Sequence, residues 1–164
     1  MGIKPENGDW IVGISPKRQG NKLVYAMRVD ETLHFNQYFH DERFHEKKPD
    51  MNGPWEKRCG DNFYYQNDKG KWIQKLNAFH DNERDCKKDT KHPFVFISNR
   101  FFYFGENEVN LPEEFTGMIL DRHGCKKILD QAIIKDFVSW LEEKYPEGII
   151  GKPKDRHETC LECY

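Results

Sequence analysis

At 164 residues, with 37% apolar and 33% charged residues, the chain is long enough to bury one core and too short for two comfortable ones. Twelve Phe, seven Tyr and four Trp make 14% of it aromatic, which excludes the ring-poor composition of a disordered chain. A formal net charge of -2 excludes the strongly basic footprint of a tight duplex-DNA binder but leaves room for a single nucleotide or a flipped base.

Met1 to Pro5 has no apolar signal core and no stretch reaches the length of a membrane span, so a cytoplasmic protein with no membrane partner is expected. Met1-Gly2 opens like a myristoylation site, but Glu6 stands where Ser or Thr is needed. The five cysteines are an odd number in a chain without secretory features, and reduced thiols follow.

Gly8-Asp9 reads as a turn feeding a strand in which Trp10, Val12 and Ile14 alternate onto one face. Ser15 to Asn21 is a polar turn, and Leu23 to Val29 is a second strand that pairs with the first as a hairpin. Asp30 to Thr32 offers helix N-cap chemistry, with Phe35, Tyr38 and Phe39 on one helical face beyond it. From His45 to Gly60 the chain lacks periodicity and reads as a loop. Phe63 to Gln66 and Lys71 to Lys75 flank the hairpin turn Asn67-Asp68-Lys69-Gly70, and Asn77 to His92 reads as a charged, exposed excursion.

Pro93 to Ser98 and Phe101 to Phe104 are the most apolar strands, expected as neighbours at the sheet centre joined by a tight turn at Asn99-Arg100. Between Lys126 and Lys144 the apolar stripe Ile128, Leu129, Ala132, Ile133, Phe137, Val138, Leu141 predicts a long helix, stopped by Pro146 and Gly148. The fold class is therefore α+β: a small, mostly antiparallel curled sheet or barrel with one short helix and one long C-terminal helix. Residues 1–150 are expected as one domain, with 151–164 as a polar tail.

The ordered motifs Asn7 to Gly13, Tyr25 to Val29, Lys48-Pro49, Gly60 to Tyr64 and Phe101 to Gly105 resemble the second nucleotide modification associated domain family. That resemblance runs from Asn7 to the end of the long helix and implies a link to bacterial or phage DNA base modification systems. More distantly, a Gly-Asp turn entering a hairpin is similar to PUA-like barrels of the EVE, ASCH and YTH groups, which hold modified or flipped bases; this implies fold only.

Asp9 and Asp61 each follow a glycine and lead into an aromatic strand. They read either as turn residues bonding their own backbone or as rim carboxylates; beside Asp61, Asn62 offers the donor and acceptor a base edge needs. Trp10 and Tyr64 read as core rings or stacking platforms. Trp55 lies in the irregular loop beside Arg58, where stacking on a base and contact with phosphate would be expected. His80, Arg122 and His123 lie beyond predicted strands, as surface residues or rim ligands, and Arg122-His123 precede a helix N-terminus that attracts phosphate.

His157, Cys160 and Cys163 have the only metal-like spacing, but three ligands fall short of the four that a structural zinc needs, and a reduced tail is the preferred reading. Without a Walker A loop, a G-x-S-x-G elbow, an H-E-x-x-H or a G-x-G-x-x-G, no cofactor and no particular reaction is indicated. The leading expectation is a small domain that holds a nucleotide or modified base, with nucleic acid a further partner. An enzyme using Asp9, Asp61, His80 or His123 as acid or base, and a viral sponge for a nucleotide signal, are the alternatives.

Overall fold

The computed structural model describes residues 4–79, 83–120 and 124–154. Eight strands are found among them: β1 (Trp10–Ile14), β2 (Leu23–Arg28), β3 (Glu31–His34), β4 (Tyr64–Gln66), β5 (Trp72–Gln74), β6 (Phe94–Ile97), β7 (Phe101–Tyr103) and β8 (Gly148–Ile149). The α-helices are α1 (Phe35–His40), α2 (Trp55–Arg58), α3 (Glu83–Asp89) and α4 (Gln131–Lys144). The chain is α+β as expected, with one long helix near its C-terminus. It divides into two compact units, one built from the chain up to Asp30 and from Ser98 to Lys154, the other from Glu31–Ile97.

In the first unit β1 and β2 form the expected antiparallel hairpin, Trp10 opposite Arg28 and Val12 opposite Ala26. Gly13 faces Tyr25, and a β-carbon there would lie 2.1 Å from the Tyr25 ring, so only glycine lets that ring cross the strand. Burial raises the Tyr25 pKa. Beyond β2 the sheet continues with β7, antiparallel, and then β8, parallel to β7.

Its core is Leu23, Ala26, Phe102, Phe104, Phe115, Phe137 and Leu141. Phe137 and Leu141 are four residues apart on α4 and bring one helical face onto the sheet side chains. Each fully buried large side chain stabilises the unit by about 1.5–3 kcal/mol relative to exposure. The helix begins later than its apolar stripe: the Asp130 carboxylate accepts the N–H groups of Ala132 (2.9 Å) and Ile133 (3.3 Å), and Leu129, ahead of the cap, is 72% exposed.

In the second unit β3 pairs with β6 and β4 with β5, both antiparallel. Residues 31–34, expected to hold a helix cap near Asp30, form a strand that runs straight into α1. The cap is His34, whose Nδ1 accepts the Asn36 N–H while Gln37 accepts the His34 N–H in return. Tyr38 and Phe39 are buried as their spacing requires, and rings stack across to the hairpin: Phe35 on Tyr64 at 5.4 Å, Phe39 on Tyr65 at 4.3 Å. Asn67 closes the β4–β5 turn by accepting the N–H groups of Lys69 and Lys71.

Three expectations are corrected. The strands at Phe94–Ile97 and Phe101–Tyr103 are not a hairpin: β6 belongs to the second unit and β7 to the first. The intervening Asn99 donates its N–H to the Asp30 carboxylate at 2.7 Å and Arg100 accepts from Arg28 N–H at 3.0 Å, so this segment is fastened to the end of β2. The sheets, of four, two and two strands, are open and form no barrel. The stretches 45–60 and 77–92 are less irregular than expected, since they carry α2 and α3. No helix among the described residues is long and apolar enough to cross a membrane.

Candidate functional site

The second unit concentrates the expected ligand residues around α2. Pro54 opens this single turn, and the chain then closes through the Cys59 N–H to the Trp55 carbonyl at 3.1 Å. One helical turn places Arg58 over Trp55, its guanidinium carbon 5.6 Å from the ring centroid. Phe79 meets the same indole edge-on at 5.6 Å, and Ala78 donates its N–H to the Arg58 carbonyl at 3.0 Å. Both Trp55 and Arg58 are half-buried. The Arg58 Nε is hidden from solvent and has no hydrogen-bond acceptor, an unmade bond that costs about 1–3 kcal/mol.

The segment after α2 is tightly built. Gly60 passes so close to the chain at Lys47 to Pro49 that a β-carbon would lie 2.5 Å from the Lys47 carbonyl oxygen. Asn77 donates its side-chain amide to the Gly60 carbonyl and accepts the Phe79 N–H at 2.7 Å. Asp61 is exposed, and one of its oxygens accepts the Tyr38 hydroxyl at 2.8 Å. Burial first, and then the Asp61 charge and hydrogen bond, push the Tyr38 pKa far above the ordinary phenol range.

Two residues expected to meet a ligand are used by the fold. Asn62 is 1% exposed and spends both donors on the carbonyls of Tyr38 (3.1 Å) and Phe44 (3.0 Å), leaving one buried, unpartnered oxygen. Tyr64 is 5% exposed, stacks on Phe35 and donates its hydroxyl to Asp89 at 2.9 Å.

Asp9 and Trp10 lie in the first unit, apart from these residues in the chain's division. Asp9 accepts the Glu6 N–H at 3.0 Å, the turn role weighed for it, and Trp10 packs on Phe102 with Arg100 over its ring. His80, Arg122, His123, His157, Cys160 and Cys163 lie outside the described residues. Among the described residues no group of His, Cys, Asp and Glu is arranged to hold a metal ion.

The model of the family described as nucleotide modification associated domain 2 matches residues 4–160. The chain belongs to that family. The match spans both units, so the nucleotide modification associated domain 2 sequence includes the Trp55–Arg58 turn, the Gly60 to Asn62 crossing and helix α4. No curated protein and no solved structure matches the chain.

In this nucleotide modification associated domain the residue that sequence reasoning missed is Phe79. It stands in a stretch of charged residues read as an excursion, and its signal was a single ring among polar neighbours that had no partner in sequence.

Proposed function

We propose that the chain is a binding domain for a nucleotide or modified base, with the Trp55–Arg58 turn as the contact surface. The observation that carries this reading is the pairing itself: an aromatic face and a guanidinium, both half-buried, are aligned on one helical turn. A base offers a face for stacking and a phosphate offers oxygens to the guanidinium fork, which is the division of labour that single-nucleotide recognition uses. The family's association with nucleotide modification supports the same ligand class. Asp61, exposed beside the turn, adds an acceptor for amino groups on a base edge.

Thermal denaturation of the chain in the presence of nucleoside phosphates, cyclic nucleotides and modified nucleosides tests this. Ligand at one hundred times its dissociation constant stabilises the folded state by about 2.7 kcal/mol. Recovering the ligand unchanged fits a binding domain or sponge, and recovering a product identifies an enzyme. No shift in melting temperature with any of these compounds at millimolar concentration would overturn the proposal.

A further inference from the structure

The first unit's sheet ends at β1, whose far side carries no further strand among the described residues. Antiparallel strands bond at every second residue, and the main-chain groups between turn away. The Arg28 N–H leaves β1 for the Arg100 carbonyl at 3.0 Å, and Leu23 exchanges both its bonds with Val109, at 2.8 and 3.1 Å. Their β1 partners Trp10 and Ile14, with Val12 between them, therefore aim N–H and C=O groups outward. Among the described residues no other main-chain group meets them.

Such an edge is a template for another strand, and proteins ordinarily blunt it with charge or proline. Trp10–Ile14 contains neither. The irregularity in the hairpin, between Gly13 and Ile14, leaves the extra residue Val24 on β2, so β1 itself runs uninterrupted.

The flanks of β1 identify the occupant. Glu6 and Asp9 precede the strand, and Lys17 and Arg18 follow it. The side chains of Glu6, Lys17 and Arg18 are exposed and make no hydrogen bond or ion pair among the described residues. A second β1 running antiparallel sets the acidic end of each strand beside the basic end of the other, whereas a parallel one would set like beside like. With Val12 on a two-fold axis, Trp10 of each copy stands opposite Ile14 of the other. That is an aromatic on β-branched pair, on the face that Trp10 and Val12 turn to the core.

We propose that two copies of the chain associate through β1, joining their sheets edge to edge across a two-fold axis. Sedimentation velocity of the full chain over a range of concentrations tests this, with hydrogen exchange of the β1 amides followed on the same samples. Dimer should grow with concentration, and exchange at Trp10 and Val12 should slow about tenfold or more as it does. The Ile11 and Gly13 amides, which face β2, should keep the same protection at every concentration. Val12→Pro removes an outward N–H and no bond to β2, so it should fold and remain monomeric. Arg18→Glu, at an exposed side chain, should weaken association about tenfold, and Glu6→Lys added to it should restore the parent affinity.

A chain that stays monomeric up to millimolar concentration overturns the proposal. So does a dimer that Val12→Pro leaves intact, or one in which Trp10 and Val12 exchange no more slowly, since the contact would then lie on another surface. Failure of Glu6→Lys to rescue Arg18→Glu would also overturn it, because the two strands would not then meet antiparallel.

Discussion

The side-chain amide of Asn62 donates to the main-chain carbonyl of Tyr38 at 3.1 Å, while its other N–H reaches Phe44 at 3.0 Å. One buried residue thus ties the end of α1 and the following 3-10 turn to the residue after Asp61, whose carboxylate holds the Tyr38 hydroxyl. Asn62→Leu leaves two carbonyls without donors, and a loss of about 2–4 kcal/mol in folding stability is expected. Asn62→Asp should do no better, since it sets an acceptor against two acceptors. Urea denaturation checks this: the midpoint should fall with the slope unchanged.

Gly60→Ala should also destabilise the fold, for a different reason. The added β-carbon would meet the Lys47 carbonyl oxygen at 2.5 Å and the Pro49 nitrogen at 2.7 Å, both main-chain atoms that cannot swing aside. Overpacking of this kind costs about 1–3 kcal/mol. It also pushes Lys47 away from the Asn62 N–H, a bond of 3.0 Å, so hydrogen exchange at Asn62 should accelerate in the variant.

What could be read from the sequence was whatever rests on local periodicity. The Trp10 to Arg28 hairpin, the Tyr38–Phe39 face and the Phe137–Leu141 stripe declare themselves through spacing alone. The parting of β6 from β7 does not. Both are short apolar runs, and Ser98-Asn99-Arg100 has the composition of a hairpin turn. The arrangement is decided by Asp30, 69 positions away, whose carboxylate accepts the Asn99 N–H. Trp55 and Arg58 were named together only as neighbours in a stretch that reads as a loop; four residues are too few to show the helical turn that aligns them. The burial of Asn62 was not legible, because nothing local reveals that its donors reach residues 24 and 18 positions back.

Arg43 ties acid stability to the second unit. Its guanidinium hydrogen-bonds both Glu31 and Asp41, and these bonds hold both carboxyls below their ordinary range. A carboxylate whose pKa is depressed by folding contributes stability above its unfolded value, and that contribution is lost as pH falls through the folded value. The unfolded values are near 4.5 and 3.8. Arg43→Met should therefore lower the melting temperature at pH 7, with the gap to the parent closing as the pH falls below these values. High salt should narrow the gap as well, because the pairs are exposed.

Tyr38 has the opposite sign. Burial, reinforced by Asp61, raises its pKa above the ordinary 10.0. The neutral phenol's contribution is complete below pH 10 and declines as the unfolded chain ionises above it. The stability difference between the parent and Tyr38→Phe should shrink between pH 9 and pH 11. Denaturation at a series of alkaline pH values measures it, and a difference that stays constant across that range would place the phenol in ordinary solvent.

The proposed ligand surface predicts a pattern rather than a single loss. Arg58→Ala removes a charge-assisted contact worth about 1.5–3 kcal/mol, so phosphorylated ligands should weaken by that amount while the parent nucleosides change little. Arg58→Lys keeps the charge but loses the planar fork, and should fall between the two. Trp55→Ala removes the stacking face and should weaken nucleotides and nucleosides alike, by about 1–3 kcal/mol. Because Trp55 also meets Phe79 edge-on, its truncation loosens the segment after Asn77, and Trp55→Phe is the variant that keeps packing while reducing the stacking area. Calorimetric titration of these variants separates the roles: if Arg58→Ala weakens nucleosides as much as nucleotides, the arginine supports the fold and the phosphate lies elsewhere.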